Sequence, residues 1–564
     1  MSSKKEESLE RFTIAGLPLI ISIIKRLNLK SILSKYIPLY GNEKIPVVDA
    51  LILLICNITI GRQPLYKLKQ WVQSIDPKCF ELHRKDFQVF NDDRFGRALD
   101  KLYLTDRASL MTEIVIKMIK EVKLDLSRFH NDSTTIKAYG KIPGETRTGL
   151  KLAHGNSKEH RPDLKQLVFN LTISSDGAVP VHYKTYSGNR TDDTTHIETW
   201  NIIRKIAGRN DFIYVADCKV CTSKQLSYIV GKGGRVVTII PNTWKETKIF
   251  KEELRSKKKK KICIWCKKIP MLMSLIVKNE YFSLFCGDYK TKKAGYRIYW
   301  FHSSEKRNRD RQNREQRLQK AEKELLNLIP KINKRKLKNK KEIETQVEKI
   351  LKENNVKNFY EITIYEKKRK YRKQIKRGRP GINTKYKVHV KSIYSLLYER
   401  DEKSLKREKN VDGIFPLLTT DHTLLAKEVL QYYKYQPRLE KRFTQFRSVH
   451  AGAPLLFKKI ERVESIMFSF FLSLMIQAII EREVRLKMKI HKIKSLLIYP
   501  EFRNAYSPTT SKILDNFDAI SIYRVKLEGN IIKEFRDSLT TTQKKILNLL
   551  NIKQNDYWGK SKIN

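Results

Sequence analysis

At 564 residues the chain is too long for one compact core, and at roughly 100 to 200 residues per domain it should divide into three or four. Its 115 Lys and Arg against 60 Asp and Glu leave a formal charge of +55, which repels itself unless a polyanion lies against it, so a nucleic acid is the expected partner. Seven cysteines with no export signal argue against a disulfide framework. The best apolar run, Ser465 to Ile480, carries Ser465, Ser469, Ser473 and Gln477 at four-residue spacing and reads as a buried core helix, not a membrane span. Leu17 to Ile24 is too short for a signal peptide, and the chain is expected to be soluble, cytoplasmic and without a membrane partner.

From Phe12 to about Lys123 apolar residues recur at helical spacing, as in Ile20, Ile23, Ile24 and Leu27, which predicts a helical N-terminal domain over 1–123. Asn91, Asp92 and Asp93 stand ahead of Phe95 to Leu102, where a short polar side chain would cap a helix. The period then changes. Ser127 to Ile136, Gln166 to Ser174 and Ala178 to Tyr186 read as strands, with Asp176-Gly177 as a tight turn. Thr194 to Ala207 is an amphipathic helix, Asp211 to Asp217 a short apolar strand ending in a carboxylate, and Arg235 to Ile240 one more strand. Three antiparallel strands, a helix and a further strand is the order that opens a ribonuclease-H-like sheet, placed at 124–240.

Between 241 and 420 the pattern breaks into an insertion. Lys257 to Lys261 is a run of five lysines, Tyr281 to Phe301 alternates like strands, and Lys306 to Glu353 is a charged helical stretch interrupted by Pro330. Residues 301 to 380 hold 27 basic and 11 acidic side chains, about twice the net positive charge per residue of the whole chain, which favours DNA contact over a merely solvated face. Lys367 to Arg379 alone has nine basic residues in thirteen. Helices return over 421–500, and 501–564 reads as a polar tail with helical patterning near Leu539 to Leu550. The expected class is mixed α/β: a ribonuclease-H-like core split by an insertion domain and preceded by helices.

Asp132 and Asp217 each stand at the end of an apolar strand, 85 residues apart. On neighbouring strands two such carboxylates share one rim and repel unless a cation bridges them, and hard divalent cations with oxygen ligands suit that arrangement. Glu440 is the candidate third carboxylate, one turn into a helix that Pro437 can start; by spacing alone a surface Glu paired to Lys441 or Arg442 competes with that reading. Cys218/Cys221 and Cys263/Cys266 are both C-x2-C pairs, which leaves zinc open, although the 41 residues between them exceed the usual gap. His154, His160 and Arg161 share a loop after the first strand that could approach DNA or serve only as surface, and Asp192 and Asp193 read as helix caps.

Taken together, His154-Gly155-Asn156-Ser157-Lys158-Glu159-His160-Arg161-Pro162-Asp163, Gly188-Asn189 ahead of Asp192, Tyr214-Val215-Ala216-Asp217, and Tyr433 to Phe443 resemble the DDE transposases of bacterial and archaeal insertion sequences. The closer branch is the one with a strand-rich insertion before its catalytic Glu, often called the IS-four type. The resemblance covers roughly residues 12 to 510. It implies that Asp132, Asp217 and Glu440 hold two divalent cations, Mg2+ or Mn2+. It also implies that the substrates are terminal inverted repeats and target DNA, and that a homodimer forms the synaptic complex. The branch's Tyr-Arg-Glu-Lys signature falls on Tyr433, Gln436, Glu440 and Arg447, so Gln replaces the Arg and Arg replaces the Lys. Tyr433, Lys441 and Arg447 join His154, His160 and Arg161 as DNA-contact candidates. In the same branch an aromatic ring of the insertion can stack a flipped base, for which Trp244, Trp265 and Trp300 are candidates against ordinary strand packing. A nuclease without strand transfer, or a non-catalytic copy that only occupies DNA ends, are the rival readings.

Overall fold

The computed structural model describes residues 7–559 apart from 38–42, 44, 140–143, 148, 156–160, 162, 192–193, 257–261, 264–279, 335, 451–456, 458, 502 and 529. The described chain forms two units, one running up to Ile239 and resuming at Leu418, the other lying between Ile240 and Leu417.

The first unit opens with β1 (Glu7–Thr13) and the helices α1 (Leu17–Arg26), α2 (Leu29–Tyr36), α3 (Val47–Cys56), α4 (Leu68–Ser74), α5 (Asp92–Leu104) and α6 (Arg107–Val122). Next come β2 (Arg128–Lys137), β3 (Gln166–Ser174), β4 (Pro180–Ser187), α7 (His196–Ala207), β5 (Ile213–Ala216), α8 (Ser223–Gly231) and β6 (Arg235–Ile239). The second unit holds α9 (Lys245–Arg255), β7 (Ile262–Cys263), β8 (Phe282–Phe285), β9 (Tyr289–Lys290), β10 (Arg297–Ser303), α10 (Ser304–Leu328) and α11 (Lys340–Glu353). It continues through β11 (Tyr360–Gln374), β12 (Tyr386–Arg400) and α12 (Glu402–Glu408), and β13 (Ile414–Thr419) leads out of it. The first unit then resumes with α13 (Ala426–Tyr433), α14 (Pro437–Thr444), α15 (Ile460–Ile490), β14 (Leu496–Leu497), β15 (Asn504–Ala505) and α16 (Thr510–Asp515). It ends with β16 (Ser521–Leu527), β17 (Asn530–Arg536), α17 (Thr541–Leu549) and α18 (Gln554–Trp558).

Local chemistry accounts for several of these boundaries. Asn91 accepts a hydrogen bond from the Arg94 amide (2.9 Å) and caps α5, while Asp92 and Asp93 lie in its first turn, where negative charge suits the helix dipole. Asp106 does the same for α6 through the amides of Ala108 and Ser109. Pro437 occupies the first turn of α14, where its missing N–H costs nothing.

The sheet of the first unit runs β4-β3-β2-β5-β6. β2 pairs antiparallel with β3, and β3 with β4, whereas β5 is parallel to β2 and β6 parallel to β5. This is the ribonuclease-H-like strand order within a mixed α/β fold. Every residue of β3 is buried, as a strand covered on both faces must be. On one face Phe129 meets Phe212 edge-on (5.0 Å), and Trp200 of α7 packs on Phe212. On the other face Phe169 stacks on Phe446 (5.0 Å) just beyond α14, and Tyr183 stacks on Phe471 of α15 (4.9 Å).

α15 is long and apolar enough to cross a membrane, yet 94% of its apolar window is buried inside the unit. Three of the four residues of its polar stripe are bonded internally. Ser473 donates to the carbonyls of Ser469 (3.0 Å) and Ile55 (3.3 Å), and Gln477 donates to the Thr59 carbonyl (3.4 Å), which joins α15 to the end of α3 and the turn after it.

β1 pairs antiparallel with β16, and β16 with β17, so residues read as a polar tail complete a sheet begun by the first described residues. Arg524 on β16 is buried there, bidentate to Asp76 (2.9 and 2.5 Å) and bonded to Glu534 (3.0 Å). Removing one partner of a buried ion network strands the remaining charges. Arg524→Ala should therefore lower the stability of the protein by about 3 to 5 kcal/mol, read as a shifted urea midpoint, and Arg524→Lys should recover only part of it because it cannot grip Asp76 with a planar fork.

Candidate active site

The parallel ladder between β2 and β5 pairs Arg128 with Ile213, Phe129 with Tyr214 and His130 with Val215, an offset of 85 residues. Asp132 and Asp217 are separated by that same 85 residues, so extending the ladder by two steps sets them side by side at the end of β5. Directly paired residues of a parallel ladder point to one face, and Asp132 shares that face with His130, under α14.

α14 is fixed to β2 by the residue that precedes it. Gln436 donates through Nε2 to the Asn131 carbonyl (3.0 Å), and its Oε1 lies 3.3 Å from Nδ1 of His130. Burial depresses the His130 pKa to about 3, so the ring is a neutral hydrogen-bonding strut, tilted against the Tyr435 ring at 4.8 Å. Gln436 thus sits beside Asp132 on the backbone of β2, and Glu440 follows one helical turn later on the same side of α14.

The Tyr433 phenol is raised above the ordinary tyrosine range first by burial and then by Asp217, Cys218, Asp132 and Glu440. Tyr214 is likewise raised by burial, by Tyr186, and by Asp217 and Asp132.

The two aspartates are oriented by their surroundings. Asp132 accepts the Ser133 amide (2.7 Å) and Asp217 the Lys219 amide (3.0 Å), and the Asp217 carbonyl accepts the Thr238 hydroxyl (2.7 Å). Behind Asp217 lies His196, with Nε2 3.9 Å from the carboxylate and Nδ1 3.1 Å from the Tyr214 hydroxyl. Asp132 and Asp217 are half-buried and Glu440 is exposed, so the three line an open rim. Among the described residues no three His, Cys, Asp or Glu side chains close tightly enough to hold an ion as they stand. The donor set is all oxygen, which fits a hard divalent cation and not a thiolate-seeking one.

The remaining expected residues scatter. Arg442 does not pair with Glu440: it is buried, donating to the carbonyls of Gly177 and Ala178 (3.0 Å each) and to Glu481 (3.1 Å). Lys441 is exposed, its pKa lowered by burial of its stem and by Arg438 and Arg485. Arg447 is half-buried in the π-helical turn after α14. Arg161 is exposed and held bidentate by Asp163 (2.8 and 2.7 Å), and His154 is exposed in the loop ahead of β3. His160, Asp192, Asp193 and Trp265 lie outside the described residues. Trp300 is core packing, 1% exposed and stacked 3.8 Å from Phe250, and Trp244 is the residue ahead of α9. Cys221 is buried, and burial together with Asp217 raises the Cys218 thiol, which disfavours the thiolate that zinc would need.

Sequence reasoning missed His196, Tyr214 and the His130–Gln436 brace. Gln436 had a signal, its departure from the Arg of the signature. His196 had only its position in the first turn of a helix.

A family model described as a domain of unknown function (DUF4277) matches residues 10–116, less than half of the chain. No curated protein matches it in sequence. Among solved structures, a cryo-electron-microscopy piggyBac transposase synaptic complex with hairpin DNA matches with a TM-score of 0.31 and 8% identity, over 82% of this chain and 73% of that one. A likeness that loose carries no argument about this chain.

The brace makes a measurable demand. Gln436→Leu deletes both contacts of the helix start while keeping its bulk, and should cost about 1 to 2 kcal/mol in urea unfolding. The same variant should bind Mn2+ more weakly in calorimetric titration, because Glu440 is then held less firmly against β2.

Proposed function

We propose that this chain is a DNA transposase of the DDE type, cutting at the ends of a mobile element and joining them to target DNA. The observation that carries this reading is the parallel register of β2 against β5, which brings Asp132 and Asp217 to the same end of β5, together with the Gln436 bond that ties the start of the helix bearing Glu440 to β2. Two Mg2+ or Mn2+ ions on those carboxylates would supply an activated water and stabilise the attacking and leaving oxygens of an in-line displacement. The protein's own part is positional. The strands fix Asp132 and Asp217 on one rim, Gln436 sets the start of the helix that bears Glu440, and His196 backs Asp217 from the dry side.

Lys441 and Arg447 follow Glu440 in the chain and would hold phosphates, Arg447 bidentately. The basic side chains of residues 301 to 380 would neutralise the DNA backbone. The spacing of Tyr433, Gln436, Glu440 and Arg447 supports the IS-four branch within this class, and two copies, one at each element end, would make up the synaptic complex.

Asp217→Asn keeps the shape of the side chain and removes the charge that holds metal. It should abolish Mg2+-dependent cleavage of end-containing DNA and the appearance of joined products, while metal-free DNA binding survives because phosphate and base contacts come from other residues. A folded Asp217→Asn that cleaved at the unmodified level would place the chemistry elsewhere, and wild-type cleavage without joined products would make the chain a nuclease. For the electrostatic part, neutralising Lys367 to Lys370 should weaken binding to unrelated duplexes alike and flatten its salt dependence by about 0.9 in slope per lost phosphate contact.

A further inference from the structure

The second unit carries a long arm that the carboxylate site does not use. β11 and β12 pair over fifteen residues each with no register shift, from Tyr360 opposite Arg400 to Gln374 opposite Tyr386. The near end is anchored, since Ile362, Ile364, Tyr394, Leu396 and Tyr398 pack on the core of α10, α11 and α12. Beyond it about ten residue pairs continue largely exposed, a ribbon of roughly 30 Å at ~3.3 Å per residue.

Residues 367 to 391 include twelve Lys and Arg and not one Asp or Glu. By strand alternation Lys368, Lys370 and Arg372 lie on one face and Lys367, Arg369 and Lys373 on the other. A two-stranded ribbon charged on both faces has no side that suits a protein core. It suits a polyanion.

The tip is more specific than the shaft. The Ile375 amide donates to the Lys385 carbonyl (3.0 Å) and closes the hairpin, and inside the loop the Gly381 amide donates to the Thr384 hydroxyl (2.8 Å). The order there is Arg377-Gly378-Arg379-Pro380, all exposed. Gly378 has φ +147, a conformation open to glycine, and a Cβ built on it would meet nothing within 4 Å. Two guanidinium groups therefore flank a bare stretch of backbone at the outermost point of a basic arm, with Ile382 fully exposed nearby (106%).

We propose that this tip is a minor-groove probe, with Arg377 and Arg379 entering A·T-rich duplex DNA while the shaft follows the phosphates. The proposal deepens the DNA reading above and rests on it. The chemistry matches on both sides. The minor groove of an A·T pair offers only acceptors, adenine N3 and thymine O2, whereas a G·C pair adds a donor amino group. Arginine has donors and no acceptor. A·T tracts also narrow the groove and deepen its negative potential, which draws in arginine. Glycine between the arginines lets the backbone approach the groove, and an exposed apolar side chain such as Ile382 is the kind that minor-groove proteins press against base steps.

The test uses the full chain and fluorescence anisotropy on short duplexes of A·T, G·C and inosine·C pairs; inosine lacks the guanine amino group, so inosine·C keeps the G·C pattern in the major groove but resembles A·T in the minor. Wild-type protein should prefer A·T and inosine·C to G·C. Arg377→Ala/Arg379→Ala should lose about tenfold on both preferred duplexes and leave G·C binding nearly unchanged. Arg377→Lys/Arg379→Lys, which keeps the charge, should not restore the preference. No preference in the wild type, equal loss on all three duplexes, full rescue by lysine, or equally tight binding of A·U RNA, whose minor groove is wide and shallow, would each overturn the proposal. Asp217→Asn should show the wild-type preference, so a failure of the catalytic reading and a failure of the groove reading are told apart. Arg377 and Arg379 are exposed, and unchanged circular dichroism confirms that their variants remain folded.

Discussion

The register of one strand pair is the constraint on which the first unit turns. Parallel pairing of β2 with β5 at an offset of 85 residues carries Asp132 and Asp217 toward the same end of β5, and a sheet buried on both faces cannot slip by a residue without turning its whole apolar set outward. Any repulsion between the two carboxylates is therefore set by the same apolar strands that stabilise the unit. What the surrounding residues do is bound it: amide donors from Ser133 and Lys219 orient the two carboxylates, and Tyr433 and Tyr214 stay protonated beside them because burial and the neighbouring negative charge both oppose phenolate. Glu440 arrives on a separate element whose placement depends on Gln436 gripping a strand carbonyl.

Around that rim the unit is built in layers. α14 and α15 cover the face that carries Asp132, and α7 covers the other, contributing Trp200 to the core and His196 to the rear of Asp217. α15 shows how a strongly apolar helix is kept in register: Ser473 and Gln477 are bonded to the carbonyls of Ile55 and Thr59, so this part of the stripe locates it along α3. A buried polar group is costly unless paired, which makes such a stripe a specificity device as well as a stabilising one.

Much of this was legible in the sequence. β3 was bounded correctly from its apolar run, the Asn91 cap from residue type alone, and the order of three antiparallel strands, a helix and a further strand from the period change after Leu124. Asp217 was visible because it ends an apolar strand, whereas Asp132, read as ending one too, lies in the middle of β2, which runs on to Lys137. Glu440 was not, since an exposed Glu beside Lys441 and Arg442 looks like any surface pair; the resemblance singled it out, and only the structure reveals that Arg442 is occupied by Glu481 and two backbone carbonyls. The β11–β12 ribbon was hidden because charge on both faces removes the alternation by which a strand is recognised. β1 was hidden for a related reason: Glu7–Thr13 is mostly polar, and its strand character comes from a partner that no local window contains.

That last pairing sets a condition on synthesis. Arg11 bonds Ser521 across 510 residues, and the Tyr557 hydroxyl donates to the Ala15 carbonyl across 542. A nascent chain has all of α1 to α15 in hand while β1 still has no partner and Asp76 still lacks Arg524. Domains generally fold as they emerge, and long-range strand pairing is slow. The first unit thus has a seam that only residues beyond α15 can close, so a ribosome that stops short of β16 releases a chain with an open strand edge and an unpaired acid. In such a protein, premature termination and aggregation are one event.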